Sequence, residues 1–311
     1  MEASHPESRP IFLELEEEWT RLETSRVQLL PCPFDGTSTG AKGADRGPEA
    51  MLAVSGQLED YDLELDTEPY RVGIHCRPPV RFASDDPEAA VAAIARAAKE
   101  GLSAAPPDLD PLLLGLGGEH TVSVGLTRAL RELHGPFSVL QVDAHADLRD
   151  SYAGSAYNHA CVMRRIAEDD PTATLVSVGV RACAREEVDY ARQRGVHLFP
   201  AHRLDAESRW IEEVLQVLPD SNPVYVTFDL DGLDPSILPS TGTPVPGGLR
   251  WFQALALLRT VGEHRKIIGA DINELLPDGV NHHSEFLAAQ LAYKMVAYFR
   301  PEASNGHRSR A

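Results

Sequence analysis

Three short clusters of acidic residues and histidines dominate the chemistry that this sequence could perform. They are Gly-Gly-Glu-His at residues 117–120, Asp-Ala-His-Ala-Asp at 143–147 and Asp-Leu-Asp-Gly-Leu-Asp-Pro at 229–235. Each cluster directly follows a short apolar run that predicts a buried strand. Because ligands bind just beyond the carboxyl ends of strands in a parallel sheet, we expect the three clusters to form one site.

The spacing within two of the clusters favours a shared ligand. Residues two apart in an extended chain point to the same side, so Asp143, His145 and Asp147 can converge. The same holds for Asp229 and Asp231. Carboxylates gathered this closely repel one another and are costly to bury without a cation. With the histidine of the first cluster added, the candidate metal ligands are His120, Asp143, His145, Asp147, Asp229 and Asp231.

This mixed set of oxygen and nitrogen ligands suits manganese. Structural zinc sites prefer cysteine, and magnesium or calcium would rarely take histidine. Six ligands are too many for one ion that must keep an open position, so the set predicts two manganese ions bridged by shared carboxylates. A water between them would be hydroxide at neutral pH and could attack an electrophilic carbon. Each cluster alone is more typical of a turn or a helix cap, but the three together favour the metal site.

Strands and helices alternate along almost the whole chain. Short apolar runs predict strands at residues 27–30, 71–76, 111–116, 137–142, 174–180, 197–199, 223–228 and 266–270. Amphipathic patterns predict helices that include residues 87–100, 122–133, 207–218 and 250–261. The alternation indicates an α/β fold with a mostly parallel sheet that is covered by helices on both sides.

The sequence also predicts how the chain is divided. No long linker interrupts it, so we expect a single domain over residues 1–311. The polar ends, at about 1–10 and 301–311, should be loose. Residues 11–22 have apolar side chains at roughly helical spacing and could form a lid, a subunit contact or an ordinary surface helix.

Bulk composition excludes some classes of function. The net charge of −18 argues against nucleic acid as a partner, since phosphates would be repelled. It could concentrate a cationic substrate near the protein, although solubility alone is a simpler reason for it. There is no apolar run long enough to span a membrane and no signal-peptide pattern at the N-terminus. The four cysteines form no Cys-x-x-Cys pair and are expected to be reduced, as in a cytoplasmic protein.

The three clusters resemble, in the same order, the signature motifs of the ureohydrolases, the arginase and agmatinase family. The resemblance extends from Pro-Phe-Asp-Gly at residues 33–36 to about Phe299, nearly the whole chain. It implies a three-layer α/β/α sandwich around a mostly parallel eight-stranded sheet, and hydrolysis of a guanidino compound with release of urea. It also implies a homotrimer or homohexamer.

The resemblance implies specific roles for the site residues. One manganese ion would be held by His120, Asp143, Asp147 and Asp229, and the other by His145, Asp143, Asp229 and Asp231. His159 would shuttle protons, Glu274 would grip the guanidinium group, and Asp147 would help to stabilise the reacting centre. A carboxylate is the natural bidentate partner of that flat cation.

The loop at residues 147–160 is similar to the agmatinase branch of the family. Where arginases carry an asparagine for the α-carboxylate of their substrate, this sequence has Arg149. Where arginases carry an aspartate for the α-ammonium, shortly after Gly-x-Arg, this sequence has Ala-Cys-Ala at 182–184. These differences favour agmatine as substrate, with putrescine as product and a place in polyamine metabolism.

Several alternatives stay open at this level. Guanidinobutyrate and other guanidino acids are possible substrates, because Arg149 would welcome a carboxylate if it points into the cleft. Arginine is less favoured. A non-enzymatic scaffold of this family would be expected to have lost ligands, and a deacetylase with a single zinc ion would leave the second ligand set unexplained.

Overall fold

The computed structural model describes residues 11–301, and its centre is one sheet of eight strands. The strands are β1 Val27–Cys32, β2 Ile74–Cys76, β3 Leu112–Gly117, β4 Ser138–Val142, β5 Leu175–Val180, β6 His197–Pro200, β7 Val224–Asp229 and β8 Ile267–Asn273. All eight predicted strands are present, with ends that shift by up to three residues. The change at β8 matters, because the predicted strand ended at residue 270, whereas the last three residues of β8 bring Asp271 and Asn273 into the strand.

The sheet is entirely parallel, in the order β2-β1-β3-β8-β7-β4-β5-β6. Its four central strands, β3, β8, β7 and β4, are neighbours in space although they are widely separated in the chain. Their ends are in register, since Leu116 pairs with Ile272, Ile272 with Phe228, and Phe228 with Val142. The residues that follow this row therefore begin at the same height, with neighbouring strands about 4.8 Å apart.

Helices cover both faces of the sheet and produce three layers. They are α1 Gly47–Ser55, α2 Pro87–Ala104, α3 Val122–His134, α4 Val162–Asp169, α5 Arg185–Arg194, α6 Ala201–Ala206, α7 Trp210–Val217, α8 Trp251–His264 and α9 His283–Phe299. The strands are apolar on both sides. In β3, for example, Leu112 and Leu114 join the core under α1, α8 and α9, while Leu113 joins the core under α2 and α3. The predicted three-layer α/β/α fold is confirmed.

The segment before β1 differs from its prediction. Residues 11–22 do not form one amphipathic helix; they contain two short 3₁₀ turns, Phe12–Glu14 and Glu17–Trp19. Phe12 is buried and its ring lies 6.3 Å from that of Tyr293 in α9. The apolar residues of this segment are therefore used singly to pack against the core, and such tertiary contacts override a weak helical pattern. Residues 1–10 and 302–311, where loose ends were expected, lie outside the described residues.

Two further expectations concern the environment of the chain. None of the helices described between residues 11 and 301 has the length and apolarity needed to cross a membrane. The four cysteines all lie within that range, and no disulfide joins them.

Candidate metal centre

Four neighbouring strand ends bring the site together. His120 lies three residues beyond β3, Asp143 directly follows β4, Asp229 ends β7, and Glu274 directly follows β8. Because these strands end in register, the side chains that follow them share one edge of the sheet. The order of the strands, which the sequence does not state, is what makes the three clusters one site.

The first group of candidate ligands surrounds His120. Its Nδ1 lies 3.2 Å from Asp143 Oδ2, 3.0 Å from Asp147 Oδ2 and 3.4 Å from Asp229 Oδ2. His120 is 1% exposed and Asp143 is fully buried. His120, Asp143 and Asp147 are close enough together to hold one metal ion.

The second group lies beside the first and is more open to solvent. His145 Nδ1 lies 3.1 Å from Asp231 Oδ2 and 3.5 Å from Asp143 Oδ1. Asp143, His145 and Asp231 are again close enough to hold one ion, so Asp143 belongs to both groups. The structure thus gathers all six predicted ligands, with Asp143 placed to bridge and Asp229 placed next to His120.

The carboxylates and histidines of the cluster shift one another's pKa values. Burial disfavours the imidazolium form, yet the close carboxylates of Asp143, Asp147 and Asp229 raise the pKa of His120 well above its usual value. For His145 the same balance, with Asp143 and Asp231, raises the pKa to about 12. Burial together with Asp231 and Asp143 raises the pKa of Asp229, and burial with Asp143 raises that of Asp147 to about 7. These shifts all favour bound protons within the cluster, and bound cations would supply the same positive charge in their place.

One buried atom tests whether a metal fits here. His120 Nδ1 forms no well-directed hydrogen bond with any described residue, although three carboxylate oxygens lie within 3.4 Å of it. The other ring nitrogen of His120 is occupied by Thr227 Oγ1 at 2.8 Å. A buried nitrogen that faces only carboxylates is expected where a cation binds among them. The oxygen and nitrogen donors around it suit manganese.

Two site residues adopt backbone conformations that are rare for side chains other than glycine. Asp147 has a φ of 51° and Glu274 a φ of 66°. Such conformations are costly and persist where the surrounding structure imposes them, typically at functional sites. Gly118 is needed for a different reason, because a Cβ there would lie 2.1 Å from the carbonyl oxygen of Phe34. This close approach brings the loop after β1 over the site.

Two threonines of the loop after β1 contact His159. Thr37 Oγ1 donates to Glu119 at 2.8 Å and accepts from the backbone N–H of His159 at 3.0 Å. Thr39 Oγ1 lies 3.0 Å from His159 Nε2. Burial and the positive charges of His120 and His145 lower the pKa of His159 to about 4. His159 is therefore a neutral imidazole beside the cluster, and it belongs to neither ligand group.

Glu274 lies deeper in the site. It is 6% exposed, and its Oε1 accepts from the backbone N–H of His120 at 2.8 Å. Burial and the nearby Glu119 raise its pKa well above the usual value for a carboxyl group. A cation that binds next to Glu274 would oppose this shift and keep the carboxylate ionised.

A cavity of about 310 Å³ opens from the second ligand group. Its walls include His145, Asp147, His159 and Thr243, together with Arg149, Tyr152 and the residues 182–184. Arg149 does not present a free charge, because Nη1 lies 3.2 Å from Glu186 Oε1 and Nε lies 3.8 Å from Glu187 Oε2. Its guanidinium also stacks over the ring of Tyr152 at 5.0 Å.

Some residues that support the site were not identified from the sequence. Gln141 Nε2 donates to Asp143 Oδ2 at 2.7 Å, and Thr227 binds His120. Each lies two residues before an aspartate of the cluster, within an otherwise apolar strand. A polar residue at that spacing shares a face with the aspartate, so this signal could have identified both.

Comparison with known proteins agrees with the fold and with the family that the motifs resemble. Residues 25–297 match the arginase family. The N(1)-aminopropylagmatine ureohydrolase of Thermus thermophilus is 43% identical over 275 residues, which cover 88% of this chain and 90% of that protein. The agmatinase of Pyrococcus horikoshii is 35% identical over 268 residues, 86% of this chain and 90% of that protein. The crystal structure of agmatine ureohydrolase of Thermoplasma volcanium has a TM-score of 0.80 at 29% identity, covering 90% of this chain and 92% of that one.

A parallel sheet with this cluster at its carboxyl edge, together with these matches, places the chain in the arginase family. It is a ureohydrolase, an enzyme that hydrolyses a carbon–nitrogen bond of a linear amidine. The enzyme class predicted from the three motifs is confirmed. The scaffold and deacetylase alternatives are thereby set aside.

Proposed function

We propose that this ureohydrolase uses two manganese ions to release urea from N(1)-aminopropylagmatine, with agmatine as its second candidate substrate. The observation that carries the proposal is the pair of ligand groups joined by Asp143. Agmatine, the substrate predicted from the motifs, stays a candidate because it carries the same guanidinobutyl group as N(1)-aminopropylagmatine. The choice between them is supported by the relative of 43% identity, whose name specifies the aminopropyl compound.

The residues of the chain divide the work of the reaction. When bound, the two ions would supply Lewis acidity and a water activated at neutral pH. Glu274 would orient the guanidinium group, because a buried carboxylate pairs strongly with a planar cation. Asp147 lines the cavity and would stabilise positive charge that develops on the substrate nitrogens. His159 is neutral near pH 7, so it can take up a proton and pass it to the departing amine.

The cavity favours a substrate without a carboxylate. Part of its wall consists of the small, uncharged side chains of Ala182, Cys183 and Ala184, which suit a chain of methylene groups. Arg149 is the cation that could have received a carboxylate, but Glu186 and Glu187 already compensate its charge. A carboxylate in the cavity would thus lose hydration without gaining a full partner, a cost of about 1–3 kcal/mol. This counts against arginine and guanidinobutyrate.

The carboxylate of Glu186, beside the arginine in the cavity wall, is suited to an additional ammonium group. Glu186 is two-thirds exposed, and its carboxylate pairs with Arg149, which lines the cavity. The terminal ammonium of an aminopropyl extension could exchange with Arg149 on this carboxylate, next to the face of Tyr152. Agmatine is shorter by this extension and could not make the same exchange while its guanidinium group is held by Glu274.

The proposal is tested by urea release in the presence of manganese. We expect kcat/KM to be highest for N(1)-aminopropylagmatine, then agmatine, with guanidinobutyrate, guanidinopropionate, arginine and guanidine lower. Agmatine in first place would return the preference to the second candidate. Guanidinobutyrate or arginine in first place would contradict the argument from Arg149, and fewer than two manganese ions per chain would contradict the binuclear site.

A variant pair tests the Glu186 carboxylate. Glu186→Gln should lower kcat/KM for N(1)-aminopropylagmatine and leave that for agmatine nearly unchanged. Glu212→Gln is the matched control, because Glu212 in α7 is a similarly exposed glutamate whose partner, Arg209, does not line the cavity, whereas Arg149, the partner of Glu186, does. Equal losses with both substrates would remove Glu186 from tail recognition.

A further inference from the structure

A chain of hydrogen bonds between buried polar side chains begins at Nε2 of His120, the ring nitrogen that does not face Asp143, Asp147 and Asp229. His120 Nε2 lies 2.8 Å from Thr227 Oγ1, and Thr227 Oγ1 donates to Asp271 Oδ1 at 2.7 Å. The hydroxyl of Tyr225 donates to the other oxygen of Asp271. Thr227, Asp271 and Tyr225 have no exposed surface, so these contacts are made without access to bulk water. None of these three residues belongs to either ligand group or lines the cavity.

The hydrogen bonds in this chain can run in one direction only. A hydroxyl has a single hydrogen, and Thr227 gives its hydrogen to Asp271. Asp271 receives a second donor on the same oxygen, Asn273 Nδ2 at 2.7 Å, as expected for an ionised carboxylate that only accepts. Thr227 must therefore accept from His120, so Nε2 carries a ring hydrogen and Nδ1 is the nitrogen left to bind a metal ion, which would displace any proton there.

Nδ1 of His120 faces the carboxylates of the first ligand group. Nδ1 is the atom that lies 3.0–3.4 Å from Asp147, Asp143 and Asp229 and forms no well-directed hydrogen bond within residues 11–301. A histidine ligand whose second nitrogen is anchored in this way is fixed in both orientation and tautomer. In the described part of the chain, no hydrogen bond anchors the second nitrogen of His145 comparably.

We propose that Thr227 is a positioning residue which, held by Asp271 and Tyr225, orients His120 and thereby strengthens metal binding at the first ligand group selectively. The inference rests on the proposed binuclear function. If Thr227, Asp271 and Tyr225 had a purely structural role, replacing Thr227 would lower the stability of the fold and leave the ratio of the two manganese affinities unchanged. Outer partners of metal-bound histidines typically change affinity by about 10- to 100-fold.

The test measures manganese binding directly. Thr227→Val keeps the shape of the side chain and removes the hydroxyl, so titration with manganese should show one ion bound as in the wild type and the other about 10- to 100-fold more weakly. Thr227→Ser should restore most of the affinity. Thr127→Val is the matched control, because Thr127 is also buried but its hydroxyl donates only to backbone carbonyls within α3.

A second background identifies which ion is affected. Asp231→Asn should remove the ion of the second group, and adding Thr227→Val should then weaken the single ion that remains. If Thr227→Val does not fold, Tyr225→Phe removes only the outer hydrogen bond to Asp271 and should cause a smaller loss at the same ion.

Each outcome is distinguishable. Equal weakening of both ions, or unchanged titration by Thr227→Val in a protein whose wild type binds two ions, would overturn the inference and leave the proposed function intact. A wild-type protein that binds no manganese would overturn the proposed function itself.

Discussion

Replacement of His159 by alanine separates proton transfer from metal binding. His159 lies next to the cluster, yet its imidazole is held by Thr39 and its backbone by Thr37, and it belongs to neither ligand group. We therefore expect His159→Ala to keep both manganese ions. Turnover should fall by about 10²–10⁴-fold, the usual contribution of a positioned general acid or base. This corresponds to about 3–5 kcal/mol of transition-state stabilisation.

The contact with Thr39 allows a finer measurement. Thr39→Val removes one partly exposed hydrogen bond to His159 Nε2, which is worth about 1 kcal/mol, or about fivefold in rate. If Thr39 acts only by orienting His159, its replacement should cost nothing more once the imidazole is absent. The double variant Thr39→Val/His159→Ala should then match His159→Ala, and the double-mutant cycle should show a coupling of about 1 kcal/mol.

The assay combines urea release at saturating manganese with metal analysis of each purified variant. His202→Ala provides a control, because His202 is an exposed histidine in α6 that takes no part in either ligand group. Loss of manganese in His159→Ala would refute its assignment as a proton carrier that is separate from the ligands. Undiminished turnover would do the same, and additive effects of the two replacements would refute the orienting role of Thr39.

Three other measurements test the metal site, the assembly and the stability of the chain. Asp143→Asn should weaken the binding of both manganese ions and abolish turnover, because Asp143 belongs to both ligand groups, whereas Asp231→Asn should weaken the binding of only one ion. Two tightly bound ions and normal turnover in Asp143→Asn would contradict this prediction. The family resemblance predicts a trimer or hexamer in solution, and a monomeric mass by light scattering at micromolar concentration would refute it. Although burial opposes this shift, hydrogen bonds from Lys294, Tyr298 and Arg259 lower the pKa of Glu64 to about 2. The ionised Glu64 carboxylate therefore stabilises the fold at pH values above 4.5, the usual pKa of a glutamate, and this stabilisation is lost as the pH falls toward 2. Glu64→Gln should therefore lower the free energy of unfolding by about 1 kcal/mol at pH 7, a value reduced to allow for the partial exposure of this carboxylate. Denaturant titrations should show a smaller difference between wild type and variant at pH 3 than at pH 7, and an equal difference at both pH values would contradict this reasoning.

The grouping of the candidate metal ligands is predictable from the sequence because its signal is local. Residues two apart at the end of a strand share a side, and this spacing alone groups Asp143 with His145 and Asp229 with Asp231. The strand order is not local information. β3 and β8 are neighbours although about 150 residues separate them, and only long-range pairing decides that His120 meets Asp229. The same limit explains the error at residues 11–22, where contacts with α9 replace the expected helix.

The substrate tail shows why residue identity alone is not enough. In the sequence, Arg149 argues for a carboxylate substrate as readily as against one, because an arginine in a cleft binds anions unless its charge is already compensated. That compensation comes from Glu186 and Glu187, which lie in a different element, α5, and contact Arg149 only in the folded chain. Glu187 is itself fixed, since its carboxylate accepts the backbone N–H groups of Leu148 and Ala184. These two hydrogen bonds hold the Glu187 carboxylate beside Arg149, which supports the proposed preference for a substrate whose tail carries positive charge.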